Sequence, residues 1–249
     1  MKLPISPIPL ALVFVCFIST AGAQDRARHS PSAKVRETGP AFVIDETLSV
    51  LRSKPSLFAE SIQRMRRGRR VQVLGAVEAD GVKFYKIAAP RGNFGWVQSD
   101  AVFGRFRATD EERLARLTQA ADGFDQIELA NTFFQMYPNS RFRPPILLLF
   151  GDLVEGAATK LSRDAGSRLN RNRMAASGAP IHSYYLNFNM LDRYRKLGVR
   201  FLFDPATRSF HYDGASWREI IKKYPTSTEA VEANKRLDSL RLKMERAAQ

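Results

Sequence analysis

Residues 48–102 read LSVLRSKPSLFAESIQRMRRGRRVQVLGAVEADGVKFYKIAAPRGNFGWVQSDAV. Short runs rich in β-branched and aromatic residues alternate here with turn signals at close spacing. The runs are Leu48–Arg52, Ser61–Met65, Arg70–Leu74, Val82–Ala88 and Phe94–Gln98. The breaks are Ser53–Ser56, Arg67-Gly68, Ala79–Gly81 and Pro90–Gly92. Val71 and Val73 flank Gln72, the alternation of a strand with one covered face. Five short strands within residues 41–106 suit a small closed barrel better than an open sheet.

Downstream, residues 107–249 read as helical. Thr109-Asp-Glu-Glu112 has the form of a capping box, and Leu114 and Leu117 continue it as an apolar stripe. Ile127, Leu129, Ala130, Phe133 and Phe134 fit a second helix that ends near Tyr137-Pro138. Ile146–Phe150 with Leu153 fit a buried third helix after Pro144-Pro145. A fourth is expected over Ile181–Leu197, then a hairpin of Val199–Phe203 and Ser209–Tyr212 about Asp204-Pro205. Trp217–Tyr224, whose Trp217 should pack on that hairpin, and Thr228–Arg246 close the chain as helices. The fold class expected is α+β multidomain: a β-barrel followed by an all-α region with a small hairpin. Residues 152–215 appear in this reading as an irregular insert.

Upstream, residues 24–40 (QDRARHSPSAKVRETGP) contain two prolines and, apart from Val35, no large apolar residue. They read as a flexible linker. Residues 1–23 read as a secretory signal peptide: Lys2, the apolar run Leu10–Ile18, then Ala21-Gly22-Ala23, with cleavage after Ala23. The apolar run from Ile8 to Ile18 is about half the roughly 20 residues a bilayer span needs, and no later stretch is long enough. An exported periplasmic or extracellular chain is expected, with no transmembrane segment after cleavage.

The whole chain has 249 residues, 44% of them apolar and 26% charged, ordinary for a globular protein. Lys and Arg number 39 against 25 Asp and Glu, a net charge of +14. Residues 41–106 carry eleven basic and six acidic residues, and five of the eleven are Arg64, Arg66, Arg67, Arg69 and Arg70. Cys16 is the single cysteine, so disulfides are excluded and a cleaved chain has no thiol. Export without disulfides fits a bacterial envelope better than a eukaryotic secretory pathway.

Two resemblances follow from these residues. The order Leu48-x-Val50-(Leu51)-Arg52-x-x-Pro55-Ser56, Arg67-Gly68-Arg69 before Val71-x-Val73-Leu74-Gly75, Phe84-Tyr-Lys-Ile87 and Gly95-Trp-Val97 resembles the bacterial Src-homology-3-like domain. Leu51 is an insertion against that pattern, and Asn93-Phe94 before Gly95 is a second departure. In the helical part, Phe133-Phe-Gln-Met-Tyr-Pro-Asn-Ser140 echoes Ile220-Ile-Lys-Lys-Tyr-Pro-Thr-Ser227 at an offset of 87 residues. In both, a helix ends at an aromatic, proline stops it, and Ser can start the next. These units resemble tetratricopeptide-type hairpins of bacterial envelope proteins, without the repeat of about 34 residues that a regular array shows.

The residues offer little to a catalyst. A papain-like peptidase needs a thiolate, and Cys16 leaves with the leader. The three histidines, His29, His182 and His211, form no HExxH or HxH pattern for zinc. No G-x-S-x-G, P-loop or G-x-G-x-x-G occurs. Glu111-Glu112 complements the dipole of a helix start. No cofactor and no metal are expected. Binding candidates are clearer. The five arginines of Arg64–Arg70 form a candidate site for anionic ligands, since guanidinium forks suit carboxylates and phosphates. The competing role is a solvated turn that discourages edge pairing. Arg163, Arg168, Arg171 and Arg173, after Lys160, form a second basic run, read as a solvated helix end and loop. Trp96 is a candidate stacking residue or a packing residue. Tyr184, Tyr185 and Tyr194 lie on an aromatic helix that is either core or a partner groove.

The expected function is binding or scaffolding in the bacterial envelope, without catalysis. The resemblances imply a barrel that binds cell-wall peptide or a protein partner, and helices that hold a protein segment. The basic balance allows an anionic envelope surface as partner, and export argues against nucleic acid. The alternative is an unrecognised cell-wall hydrolase or its accessory subunit.

Overall fold

The computed structural model describes residues 37–246. The signal-peptide assignment, its cleavage site and linker residues 24–36 lie outside the described residues. The described chain begins with an antiparallel seven-stranded sheet. Its strands are β1 (Gly39–Val43), β2 (Val50–Arg52), β3 (Ser61–Arg64), β4 (Arg70–Ala79), β5 (Val82–Ala89), β6 (Asn93–Gln98) and β7 (Val102–Gly104). They lie in the order β3-β2-β6-β5-β4-β1-β7. Among the described residues β3 and β7 do not pair with each other, so the ladder stays open where closure was expected.

Two of the seven strands were not anticipated. β1 pairs with β4 and β7 and begins inside the expected linker. The Tyr85 hydroxyl donates to Glu37 Oε2 at 2.5 Å, and Lys83 Nζ lies 2.6 Å from the same carboxylate. Linker residues 37–40 are therefore tied to the sheet, although their composition reads as loop. β4 also continues past Leu74, because a register irregularity at Val73/Gly75 lets the strand bend without ending. The β4–β5 turn is made by Asp80 (φ +52°) and Gly81 (φ +70°), a left-handed pair that matches the strand twist. At Gly95 a Cβ would stand 2.7 Å from the Arg52 carbonyl, so glycine is what lets β2 and β6 pair.

The barrel interior is apolar: Leu51, Met65, Val73, Tyr85, Ile87 and Val97 are fully buried. Phe42, Ile44 and Phe103 leave that cluster and join the core of the helices. The change from sheet to helix at residue 107 is thus no gap in packing.

The helices are α1 (Asp110–Ala120), α2 (Gly123–Met136), α3 (Arg143–Arg168), α4 (Arg171–Ser177), α5 (Ile181–Leu186), α6 (Asp192–Arg195), α7 (Ala215–Lys223) and α8 (Thr228–Arg246). The hairpin strands are β8 (Phe201–Asp204) and β9 (Ser209–Tyr212). α1 starts where expected, but the Thr109 side chain makes no capping bond. Asp110 does the work instead: fully buried, it accepts from Gly104 N–H at 3.0 Å, Arg107 Nε at 2.6 Å and Arg113 Nη1 at 3.3 Å. This clasp fastens β7 to α1.

α3 opens with Pro144 and Pro145 in its first turn, where a missing N–H costs nothing. It then runs 26 residues, well into the expected insert. Val154, Ala158, Leu161 and Ala165 are buried along it, and Tyr185, Leu191, Val199 and Phe210 pack into the same core. Residues 152–215 therefore contain a long helix and a hairpin that share one core, where the sequence left both a compact insert and a mobile excursion open. The sequence hid this because Gly156, Gly166 and the charges at 160–168 blur the helical period. The expected single helix over Ile181–Leu197 is broken into α5, a 3₁₀ turn at Asn189–Leu191 and α6.

The two Tyr-Pro turns have matching geometry. Tyr137 N–H donates to Phe133 O at 2.9 Å and Ser140 N–H to Tyr137 O at 3.3 Å. Tyr224 N–H donates to Ile220 O at 2.7 Å and Ser227 N–H to Tyr224 O at 3.0 Å. Each turn joins a packed helix pair, α2–α3 and α7–α8. Arg143 of the first pair bridges Glu219 of the second at 2.9 Å.

Candidate functional site

Trp96 sits in β6 directly opposite Arg52 of β2 and Lys86 of β5. Opposed residues share a face, so a half-buried indole lies between two cations on the outside of the sheet. Its flanking residues Gly95 and Val97 face inward and are buried. Phe94, two residues along on the same face, is 59% exposed, and Leu74 on β4 is 45% exposed.

The loop after β2 borders this face. Asp80 Oδ2 accepts from the Ser56 hydroxyl at 2.6 Å and from Leu57 N–H at 2.8 Å. These bonds hold the Asp80 carboxyl below its ordinary value. Arg52 Nη1 donates to Ala59 O at 2.8 Å from the other side. Between these anchors the chain presents Phe58, 90% exposed. The face therefore combines π surfaces, apolar side chains and two cationic groups. Such a set offers surface to apolar groups and charge to carboxylates.

The arginine cluster divides differently from its sequence appearance. Arg67 is mostly buried: Nε donates to Ile44 O at 3.0 Å, and Nη1 lies 2.9 Å from Asp125 Oδ2 of α2. Arg64 Nη1 donates to the carbonyls of Glu46 and Thr47 at 2.8 and 2.6 Å. Arg70 stands 5.3 Å over the Phe42 ring. Arg66, Arg69 and Arg70 make no side-chain hydrogen bond or ion pair among the described residues. Arg67 is thus drawn out of the candidate anion site into a brace that holds the turn to α2, and Arg64 is committed to backbone carbonyls. The sequence showed the cluster but not the carboxylates that meet Arg67, since Asp125 lies 58 positions away.

The aromatic candidates also separate. Tyr185 is buried and stacks on Phe203, ring centroids 4.7 Å apart. Tyr194 is buried edge-on between Phe124 and Phe201 and lines no groove. Tyr184 alone is half-exposed. Trp217 packs edge-on against Tyr212 of the hairpin at 5.4 Å. The partner-groove reading of the three tyrosines fails for Tyr194, because the period that put it on one face with Tyr184 is broken at Asn187.

Arg52, Lys86 and Phe58 were not singled out from sequence. Lys86 was legible in principle, because pairing the runs on either side of Pro90–Gly92 places it opposite Trp96, whereas Arg52 pairs with Trp96 from far along the chain. Phe58 lies in a loop, where no periodicity marks it. Among the described residues no group of three His, Cys, Asp or Glu side chains is placed to hold a metal ion, and no helix is long and apolar enough to cross a membrane.

These features describe a small β-barrel with an exposed aromatic and cationic face, packed onto a helical region. In agreement, residues 47–102 match the family described as the bacterial SH3 domain. The match covers β2 to β6, leaves out β1, and stops before the helices. No curated protein and no solved structure matches the chain. The tetratricopeptide-like resemblance of the helical region rests on its two Tyr-Pro turns.

Proposed function

We propose that the protein is a non-enzymatic binding or scaffolding component of the bacterial cell envelope. Its barrel engages a peptide, that of the cell wall or of a partner protein, and its helices hold other proteins. The observation that supports this most is the sheet face of Trp96, Arg52, Lys86 and Phe94, with Phe58 exposed on the loop that follows Arg52. Its aromatic, apolar and cationic groups match a peptide with carboxylates. Export through the leader at residues 1–23 belongs to the same reading.

The test is co-sedimentation of the full chain with purified sacculi at low salt. Wild type should pellet. Trp96→Ala should weaken binding about five- to thirtyfold, the loss of about 1–2 kcal/mol from one aromatic anchor. Soluble wall peptide should compete. Absence of pelleting by the wild type would leave a protein partner as the ligand of this face, and Trp96→Ala should then reduce its crosslinking. Equal pelleting of Trp96→Ala would remove the face from the account.

A further inference from the structure

A second surface, on the helical region, has its own chemistry. α4 and α5 meet at Gly178-Ala179-Pro180, where Gly178 takes a left-handed conformation (φ +68°) and ends α4. The angle between them opens a groove towards the β8–β9 turn, lined by Arg171, Met174, Ile181, Tyr185 and Arg208. Ala179 also lines an adjoining groove with Arg168, Tyr184 and Asn187. None of the residues lining either groove is acidic. The floor is apolar, and Ile181 is 45% exposed upon it.

Several cations of the helical region are neutralised, but those beside this groove are not. Arg143, Arg200, Arg218, Arg236 and Lys243 all lie against carboxylates. Arg168, Arg171, Arg173 and Arg208 make no ion pair among the described residues. Residues 160–173 contain five basic side chains and one acidic, Asp164. The field over the groove is therefore positive, and its floor needs apolar cover.

We propose that this groove receives an acidic, leucine-bearing segment of a partner protein. Apolar side chains of the segment lie on Met174, Ile181 and the edge of Tyr185, and its carboxylates meet Arg171 and Arg208. Charge complementarity selects this occupant. The chain's own residues 24–36 are excluded by their four cations against one Asp. A phosphate polymer has no apolar group for the floor, and a flat bilayer cannot reach into a groove. The inference rests on the reading of the helices as a protein-binding region and adds the chemistry of the partner.

The experiment uses the full chain and a fluorescein-labelled Glu/Asp peptide carrying leucines, read by anisotropy. Wild type should bind saturably, and binding should fall as salt rises. The Arg171→Glu/Arg208→Glu variant should weaken it tenfold or more. Both side chains are exposed, so circular dichroism should be unchanged. Ile181→Asp, and a peptide with serine for leucine, should each lower affinity severalfold. The charge-matched Lys196→Glu/Lys222→Glu variant should bind as wild type does. Four results would overturn the proposal: no binding, indifference to Arg171 and Arg208, equal loss in the control variant, or equally tight arginine-dependent binding of polyphosphate or phosphatidylglycerol vesicles. Sacculus pelleting tests Trp96 separately, so either site can fail without the other.

Discussion

Glu155 of α3 ties three elements together. Its Oε1 accepts from His211 Nδ1 at 3.0 Å and Lys243 Nζ at 2.9 Å, and its Oε2 accepts from Tyr212 N–H at 2.8 Å. Burial alone would raise its carboxyl, but the bonds from His211, Tyr212 and Lys243 outweigh burial and hold it at about 2, against an ordinary 4.5. A carboxylate depressed in the folded state stabilises that state above its unfolded value and loses the contribution as pH falls from 4.5 towards 2. The difference is worth about 3 kcal/mol at neutral pH and about 1 kcal/mol at pH 3. The side chain is only 19% exposed, so solvent screening takes little of this. Glu155→Gln keeps the shape and removes the charge. Urea denaturation followed by circular dichroism should find the variant about 2–3 kcal/mol less stable at pH 7, a gap that narrows to about 1 kcal/mol at pH 3. A gap equal at both pH values would refute the electrostatic reasoning. A variant as stable as wild type at pH 7 would show that the three bonds merely offset the burial of the charge.

Other substitutions test the joints of the fold. Asp110→Ala strands the Arg107 guanidinium and the Gly104 N–H, and should cost about 3–5 kcal/mol in urea denaturation, the usual loss when one partner of a buried pair is removed. Arg67→Ala removes the brace to α2 and should cost about 1–3 kcal/mol. Arg66→Gln with Arg69→Gln, on the same turn, should stay within about 0.5 kcal/mol of wild type by thermal denaturation.

Much of the barrel was legible because its signals are local. Val71-Gln-Val73, the Asp80-Gly81 turn and Gly95-Trp-Val97 each fix a strand or turn within a few residues. β1 was not legible: Gly39 and Pro40 read as loop, and only pairing with distant Val71–Val73 makes a strand of them. The helical ends at Tyr137 and Tyr224 were visible for the same local reason, proline after an aromatic. The course of residues 152–215 was not, since α3 is stabilised by contacts to a hairpin some 50 positions away, such as Ser162 Oγ accepting from Phe210 N–H. The site shows the same division. Trp96 stood out by its motif, whereas the roles of Arg67 and Tyr194 depend on Asp125, Phe124 and Phe201, which sequence distance conceals.

The shared core makes one further prediction about how the two regions depend on each other. Phe42, Ile44 and Phe103 belong to the sheet, yet are 7%, 3% and 1% exposed because α1–α3 cover them. A chain ending at residue 106 would bare all three and leave Arg67 without Asp125. Exposing three such side chains costs roughly 5–8 kcal/mol, comparable with the whole stability of a typical domain. The truncated barrel should therefore show a far lower urea midpoint than the full chain and should bind a hydrophobic dye. Trp96 is the sole tryptophan of that fragment, so its fluorescence reports the barrel directly. In the full chain with Trp217→Phe, the same signal should change only when the helices unfold. If Trp96 reported the same midpoint in both, the barrel would be an independent unit, and the apolar contacts between sheet and helices would contribute no stability to it.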